Sequence, residues 1–223
     1  LARYYRLKED RKDERTALDN VFLLYGGTQP LSRKQLWRYV DAYNRDGELR
    51  MMQKDVIAAE KSFKEGIKRY EEGVRKKLLK KNPELGRIYV NLGEISYYLN
   101  SDFDEAYQQF LLAEDSFVRD PAVSYKKGFI LFRREEYDSA LKEFSKVEES
   151  FPAQRNLLVA MGNTLYERKD FFAAQGYYLF LQEKLEGDRR RIRTLEPRTK
   201  QSDRAVVLNT MKLYNNLGIV LFK

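Results

Sequence analysis

The chain has 223 residues, with 42 Lys and Arg against 34 Asp and Glu for a formal charge of +8, and it contains neither histidine nor cysteine. Those two absences exclude disulfides, thiolate nucleophiles, Cys or His metal sites and the Ser-His pairing of many hydrolases. Catalysis would have to come from Asp, Glu, Lys, Tyr or Ser alone, and no run of ~18 apolar residues is present to cross a membrane.

From the amino-terminal end, Ala17, Leu18, Val21, Phe22, Leu24 and Tyr25 fall at helical spacing before Gly26-Gly27. They predict a helix over 14–25 that ends at a glycine in the left-handed conformation. The mixed charges from Arg3 to Arg15 read as a solvated helical arm. Ser32 and Gln35 have the spacing of a capping box and predict a helix over 33–45, with Leu36, Trp37, Val40 and Tyr43 on its buried face. Next, Met52, Val56, Ala59, Phe63, Ile67, Tyr70 and Val74 recur at steps of three and four without an intervening proline. That pattern predicts one long helix from Leu49 to Leu79. Ala59 and Phe63 also fit the second helix of a degenerate repeat, although Asp46, Gly47 and Arg50 lack the apolar partners its first helix would want. Asn82-Pro83 marks a boundary, because the residue before proline is disfavoured in helix.

Beyond it the chain repeats. Pro121 to Gln154 is a unit of 34 residues in which Gly128 permits close helix approach, Tyr137 marks a turn, Ala140, Phe144 and Val147 form a stripe, and Pro152 stops the second helix. Gly162 follows Gly128 by 34 residues, with Phe171 at the turn and Ala174, Tyr178 and Leu181 after it. Gly93 precedes Gly128 by 35, with Phe103, Ala106, Phe110 and Ala113 after it. A further start appears at Tyr214, Leu217, Gly218 and Leu221, 56 residues after Gly162. Three registered copies of this kind resemble the tetratricopeptide repeat (TPR), a helix-turn-helix of the same period.

The resemblance implies an all-α fold, a right-handed α-solenoid of TPR hairpins carrying a helical amino-terminal extension. It divides the sequence into a helical region over 1–82, regular repeats over 83–187, a basic insertion over 188–202, and the first helix of a further repeat over 203–223 whose partner helix is expected beyond. The second helix of the third copy is expected to overrun toward Leu195. Arginine-rich composition and long, irregular repeats suggest a bacterial chain.

In TPR arrays the first helix of each pair lines a groove. Carried onto this sequence, that role falls to Arg87, Val90, Glu94 and Tyr97, then Tyr125, Phe129 and Phe132, then Asn156, Val159, Asn163 and Tyr166. Such an aromatic surface with few charges suits an apolar peptide or an amphipathic helix, with Asn side chains fixing backbone register. One TPR subclass clamps acidic carboxy-terminal peptides with Lys and Asn. Here the first Lys position is Val90, Tyr125 or Val159 and only Asn163 matches, so that specificity is not expected.

The basicity is concentrated. Arg75, Lys76, Lys77, Lys80 and Lys81 form one patch without acids, and Arg189, Arg190, Arg191 and Arg193 lead a second. Both lie near expected helix ends, where cations complement the helix dipole. They offer an acidic protein surface or nucleic-acid phosphates a contact, but no recognition motif accompanies them. The sequence therefore points to a non-catalytic scaffold in a larger assembly, with no cofactor, that binds a protein or peptide. A basic nucleic-acid adaptor is the alternative, and self-association through the apolar terminal repeat is a further expectation. No phosphate-cradling glycine loop or nucleophile elbow is present.

Overall fold

Six of the described helices begin where a short polar side chain accepts a backbone amide left free by the first turn. Ser32 and Gln35 form the reciprocal capping box, and Asp55 accepts from Ala58, Asn82 from Leu85, Asp102 from Glu105, Asp120 from Ala122 and Asp170 from Ala173. Pro83 and Pro121 occupy first-turn positions where no amide is needed. The computed structural model describes residues 11–27, 30–150 and 155–194, with only the backbone of Leu185 and 187–194 included. Among the described residues the elements are α1 (Arg11–Gly26), α2 (Arg33–Met52), α3 (Val56–Arg75), α4 (Pro83–Tyr98), α5 (Phe103–Asp115), α6 (Pro121–Arg133), α7 (Tyr137–Ser150), α8 (Arg155–Glu167) and α9 (Phe171–Thr194), with no strand.

They fall into two compact units that part between Arg119 and Asp120. The first holds the hairpins α2/α3 and α4/α5 with α1 packed on α2, and the second holds α6/α7 and α8/α9. One contact builds all four hairpins. A Cβ placed on Gly47, Gly93, Gly128 or Gly162 would come within 2.3, 2.7, 2.6 and 2.5 Å of the rings of Phe63, Phe110, Phe144 and Tyr178 respectively. In each hairpin the first-helix glycine is a notch filled by an aromatic ring from the second helix. Ala59, Ala106, Ala140 and Ala174, each fully buried, sit one turn earlier on that second helix.

The turn between the paired helices recurs as well. Lys54, Ser101, Glu135 and Lys169 take φ values of 63°, 53°, 62° and 68°. A left-handed non-glycine residue costs on the order of 1 kcal/mol. The next amide closes each turn, as Asp55 donates to Arg50, Asp102 to Ser96, Glu136 to Leu131 and Asp170 to Leu165 over 2.9–3.0 Å.

This geometry corrects two expectations. The single helix over 49–79 is a hairpin, because α2 ends at Met52 and α3 starts at Val56 after the turn at Lys54. The degenerate repeat is therefore complete, with Gly47, Ala59 and Phe63 at the 12- and 16-residue spacings of Gly128, Ala140 and Phe144. Neither Gly26 nor Gly27 has a positive φ, so α1 does not end on a left-handed glycine. The overrun of the last repeat is seen, since α9 continues to Thr194. The expected loop over 195–202 and helix over 203–223 lie outside the described residues.

The position before the notch glycine is Leu92 or Met161 in two hairpins but Asp46 and Lys127 in the others. Both charged side chains are buried and paired. Asp46 accepts from Ser62 sixteen residues on, from Arg50 at 2.7 Å and from Arg15 of α1. Lys127 donates to Glu143, again sixteen on, at 3.0 Å, and Glu143 also accepts from Lys146. Glu14, buried on α1, accepts from Nε and Nη2 of Arg45 at 2.7 and 2.9 Å.

Two stability measurements check this construction. Gly47→Leu and Gly128→Leu are each expected to lose about 1–3 kcal/mol by overpacking, read from urea midpoints. A Gly47→Leu variant that unfolds like the parent would contradict the first hairpin. Lys127→Met alone is expected to cost about 3 kcal/mol by removing the buried partner of Glu143, which then keeps the more exposed Lys146, and adding Glu143→Leu should restore most of it. Equal losses in the single and double variants would show that the pair is not coupled.

Candidate functional site

Each unit presents the faces of its own first helices. In the first unit α2 and α4 are tied by a hydrogen bond from Asn91 to Asn44 at 2.8 Å. On α4, Arg87 is exposed and Glu94 and Tyr97 are half-buried. Val90 is a correction to the expected groove, being 4% exposed and part of the core. Tyr97 packs edge-on against Phe103 of the same hairpin at 5.3 Å and against Tyr98 at 4.9 Å.

In the second unit, Tyr125, Phe129 and Phe132 on α6 and Asn163 and Tyr166 on α8 are half-buried, while Asn156 and Val159 are exposed. Part of this aromatic surface is committed to the hairpins. Phe132 leans on Tyr137 at 5.9 Å and Tyr166 on Phe171 at 5.5 Å, the register positions of Tyr97 and Phe103. Tyr125 leans on the notch ring Phe144 at 5.8 Å. Asn163 accepts the hydroxyl of the notch ring Tyr178 at 2.6 Å, so one of the two Asn residues expected to read a ligand backbone also holds its own hairpin.

Two candidates were missed. Met52 and Tyr98 each lie five residues after a notch glycine and are 54% and 63% exposed, on the tied helices α2 and α4. Recognising Gly47 as a notch would have revealed Met52 by register, whereas Tyr98 lies one residue beyond Tyr97, the last groove position read after Gly93. The corresponding residues in the second unit are Arg133 and Glu167, so the two units offer different chemistry at one position.

Of the first basic patch, Lys76 pairs with Glu72 at 2.7 Å and Lys81 with Asp115. Arg75, Lys77 and Lys80 are exposed. Arg189, Arg190, Arg191 and Arg193 fall on the backbone course of α9, and their side chains lie outside the described residues.

The electrostatics move tyrosine away from acid–base chemistry near neutrality. Burial, then the charge of Glu71 and a hydrogen bond to it at 3.1 Å, raise the Tyr89 phenol well above its ordinary value. Burial, then its hydrogen bond with Tyr39, does the same to Tyr43, and burial beside Glu148 raises Tyr177. Among the described residues no cluster of three Asp or Glu side chains is arranged to hold a metal ion. No described helix is long and apolar enough to cross a membrane.

Solved structures share this architecture. PilW, a type IV pilus biogenesis factor, superposes with a TM-score of 0.59 at 14% identity, over 97% of this chain and 83% of its own. YrrB, a TPR protein with an unusual peptide-binding site, gives 0.59 at 11% identity, over 92% and 96%. MamA gives 0.58 at 17% identity, over 85% and 97%. The chain has the TPR fold. No protein-family model matches the sequence, and no curated protein matches it. Four TPR hairpins are thus described, one more than the regular array expected from sequence.

The tyrosine environments give a pH test. Raised folded-state values mean that the neutral phenols are favoured by folding, so their contribution is complete below about pH 10 and is lost as pH rises through the folded values. Phenolate absorbance should show a late-titrating class containing Tyr43 and Tyr89, with thermal stability falling above about pH 10. Titration of every tyrosine as one class near the free value would contradict the burial.

Proposed function

We propose that this protein is a non-catalytic interaction module that holds a protein partner through the first-helix faces of its TPR hairpins. The observation supporting this reading is a register of partly accessible aromatic side chains on successive first helices, already fixed by contacts within their own hairpins. Tyr97 and Tyr98 supply it in one unit, and Tyr125, Phe132 and Tyr166 supply it in the other. Rings held in this way lose little rotamer freedom on binding, so more of the area they bury contributes to affinity. Few charges interrupt them, which suits an apolar peptide or the apolar face of a partner helix.

The peptide-binding site named for YrrB and the biogenesis role named for PilW are properties of those proteins. They make a peptide-binding component of a bacterial assembly the natural class to test here. The pairing of Lys76 and Lys81 with acids disfavours the nucleic-acid alternative, because those cations already have carboxylate partners.

The experiment screens a displayed library of helical and extended peptides against the full chain, then measures the selected peptides by calorimetry at about 150 mM and about 500 mM salt. Binding that persists at high salt and weakens about tenfold or more in Phe129→Ala/Tyr166→Ala or in Met52→Ala/Tyr98→Ala is expected, which is about 1.4 kcal/mol. Comparable far-ultraviolet spectra would show that the variants keep their helices. Peptides whose affinity neither pair of substitutions changes would place the site off the first-helix faces.

A further inference from the structure

The second helices of the four hairpins share a register set by their buried alanines, so their outward positions can be compared. On α7 these are Asp138, Lys142, Ser145 and Lys146, all polar and exposed. At the same register α3 has Ile57, Lys61, Lys64 and Glu65, and α5 has Asp104, Gln108, Leu111 and Leu112. Each of these helices keeps at least two polar side chains there. On α9 the positions are Phe172, Gly176, Leu179 and Phe180, and the three large side chains are 88%, 50% and 45% exposed. Steps of three and four place them in one apolar stripe. At roughly 150–250 Å² for a whole aromatic side chain, their exposed parts come to about 300 Å², an apolar patch of the size that is often functional.

Gly176 lies in the middle of that stripe. Glycine is a poor helix former, and each notch glycine offsets this by receiving a ring of its own hairpin. At Gly176 a Cβ would meet nothing within 4 Å, alone among the described glycines inside helices. It is an exposed, open notch with a phenylalanine four residues before it and another four residues after it. A pattern that reads the same in both directions is complementary to its own copy across a two-fold axis.

We propose that α9 pairs with α9 of a second copy of this chain, antiparallel and crossing at Gly176. The axis sets Phe172 against Phe180 of the second copy and Leu179 against Ala173 of the second copy, large against small, as close packing favours. Charge selects the antiparallel sense. Lys169 and Glu183 are exposed, lie seven residues to either side of Gly176, and meet each other across the axis twice. A shallow crossing of about 20° keeps them within side-chain reach. A parallel pair would instead set lysine beside lysine and glutamate beside glutamate. The axis also brings Arg168 toward Lys184, but Arg168 pairs with Asp138 at 3.1 Å and Lys184 lies over its own Phe180 ring at 5.2 Å. Two such stripes bury an area at or below the ~1,200 Å² that marks the low end of specific interfaces, so the pair is a weak one, with a dissociation constant of about 10–100 μM.

Sedimentation equilibrium of the full 223-residue chain from about 5 to about 500 μM tests this. A monomer–dimer equilibrium is expected, weakened about tenfold or more by Phe180→Ser and about tenfold by Lys169→Glu or Glu183→Lys, each of which creates two like-charge contacts. Combining Lys169→Glu with Glu183→Lys restores opposite charges and should return the affinity to within about threefold of the parent. The chain has no cysteine, so Gly176→Cys, on the axis, should oxidise to covalent dimers at least about tenfold faster than Lys142→Cys on α7. A monomer at every concentration would overturn the proposal, whether the stripe is then bare or covered by another part of the same chain. So would a dimer indifferent to Phe180→Ser, which would place the contact elsewhere. A double charge variant as weak as the single ones would refute the antiparallel register. Circular dichroism of each variant checks that helix content matches the parent. Because the stripe lies on a second helix, these outcomes are independent of the peptide-binding reading.

Discussion

Everything in this fold depends on a glycine notch receiving an aromatic ring. An α-helix of ordinary residues keeps its neighbour 8–10 Å away, too far for a ring on the second helix to seal the hairpin against the first helix backbone. Removing one Cβ opens enough space for Phe63, Phe110, Phe144 and Tyr178. The ring then sets how closely the helices approach, and the fully buried alanine one turn away on the second helix keeps that approach close along the pair. A glycine inside a helix costs roughly 1 kcal/mol against alanine, a loss that burial of an entire ring more than offsets. The left-handed residue in each hairpin turn is tolerated for the same reason, since packing on both sides leaves the turn little choice.

The notch also explains why three hairpins were legible in the sequence and the first was not. Gly93, Gly128 and Gly162 have recognisable apolar or aromatic landmarks at repeat spacing, so their register could be read directly. Around Gly47 the flanking positions are Asp46 and Arg50, and a run of apolar residues continues at helical steps across the turn at Lys54. Periodicity could not reveal that break, because the residues on both sides of it belong to buried helix faces. Nor could it show that Asp46 is a core residue. Its carboxylate is tolerated because Ser62, Arg50 and Arg15 surround it, and Arg15 comes from α1, outside the repeat. The same substitution appears at Lys127, where Glu143 provides compensation sixteen residues away. Polarity at the position before the glycine is thus accommodated by its partner across the hairpin, a correlation between distant residues that a local pattern does not expose.

For the candidate site, the residues read from repeat register lie on the first helices and are a mixture of accessible and committed side chains. Repeat register places a side chain on a first helix but does not say how far its own hairpin has already claimed it. Val90 is buried, and Asn163 holds Tyr178. Tyr97, Phe132 and Tyr166 keep part of their surface while leaning on the aromatic residue that opens the second helix. Met52 escaped notice because the first hairpin itself did, and Tyr98 because the groove positions read after Gly93 stop at Tyr97.

That dual use of aromatic rings has a physical consequence for recognition. A ring free to rotate on the surface would surrender rotamer entropy when a ligand covered it, offsetting part of its hydrophobic gain. Here the ring that closes a turn is held by a neighbour 5–6 Å away in a tilted or edge-on arrangement, a favourable geometry for aromatic pairs. Folding has therefore already ordered the surface a partner would meet. Because the same contact stabilises the turn, substitutions there would alter folding and recognition together. If the first-helix faces are the binding surface, exposed Val159 is a position where a substitution would change a partner's affinity without rebuilding the hairpin beneath it.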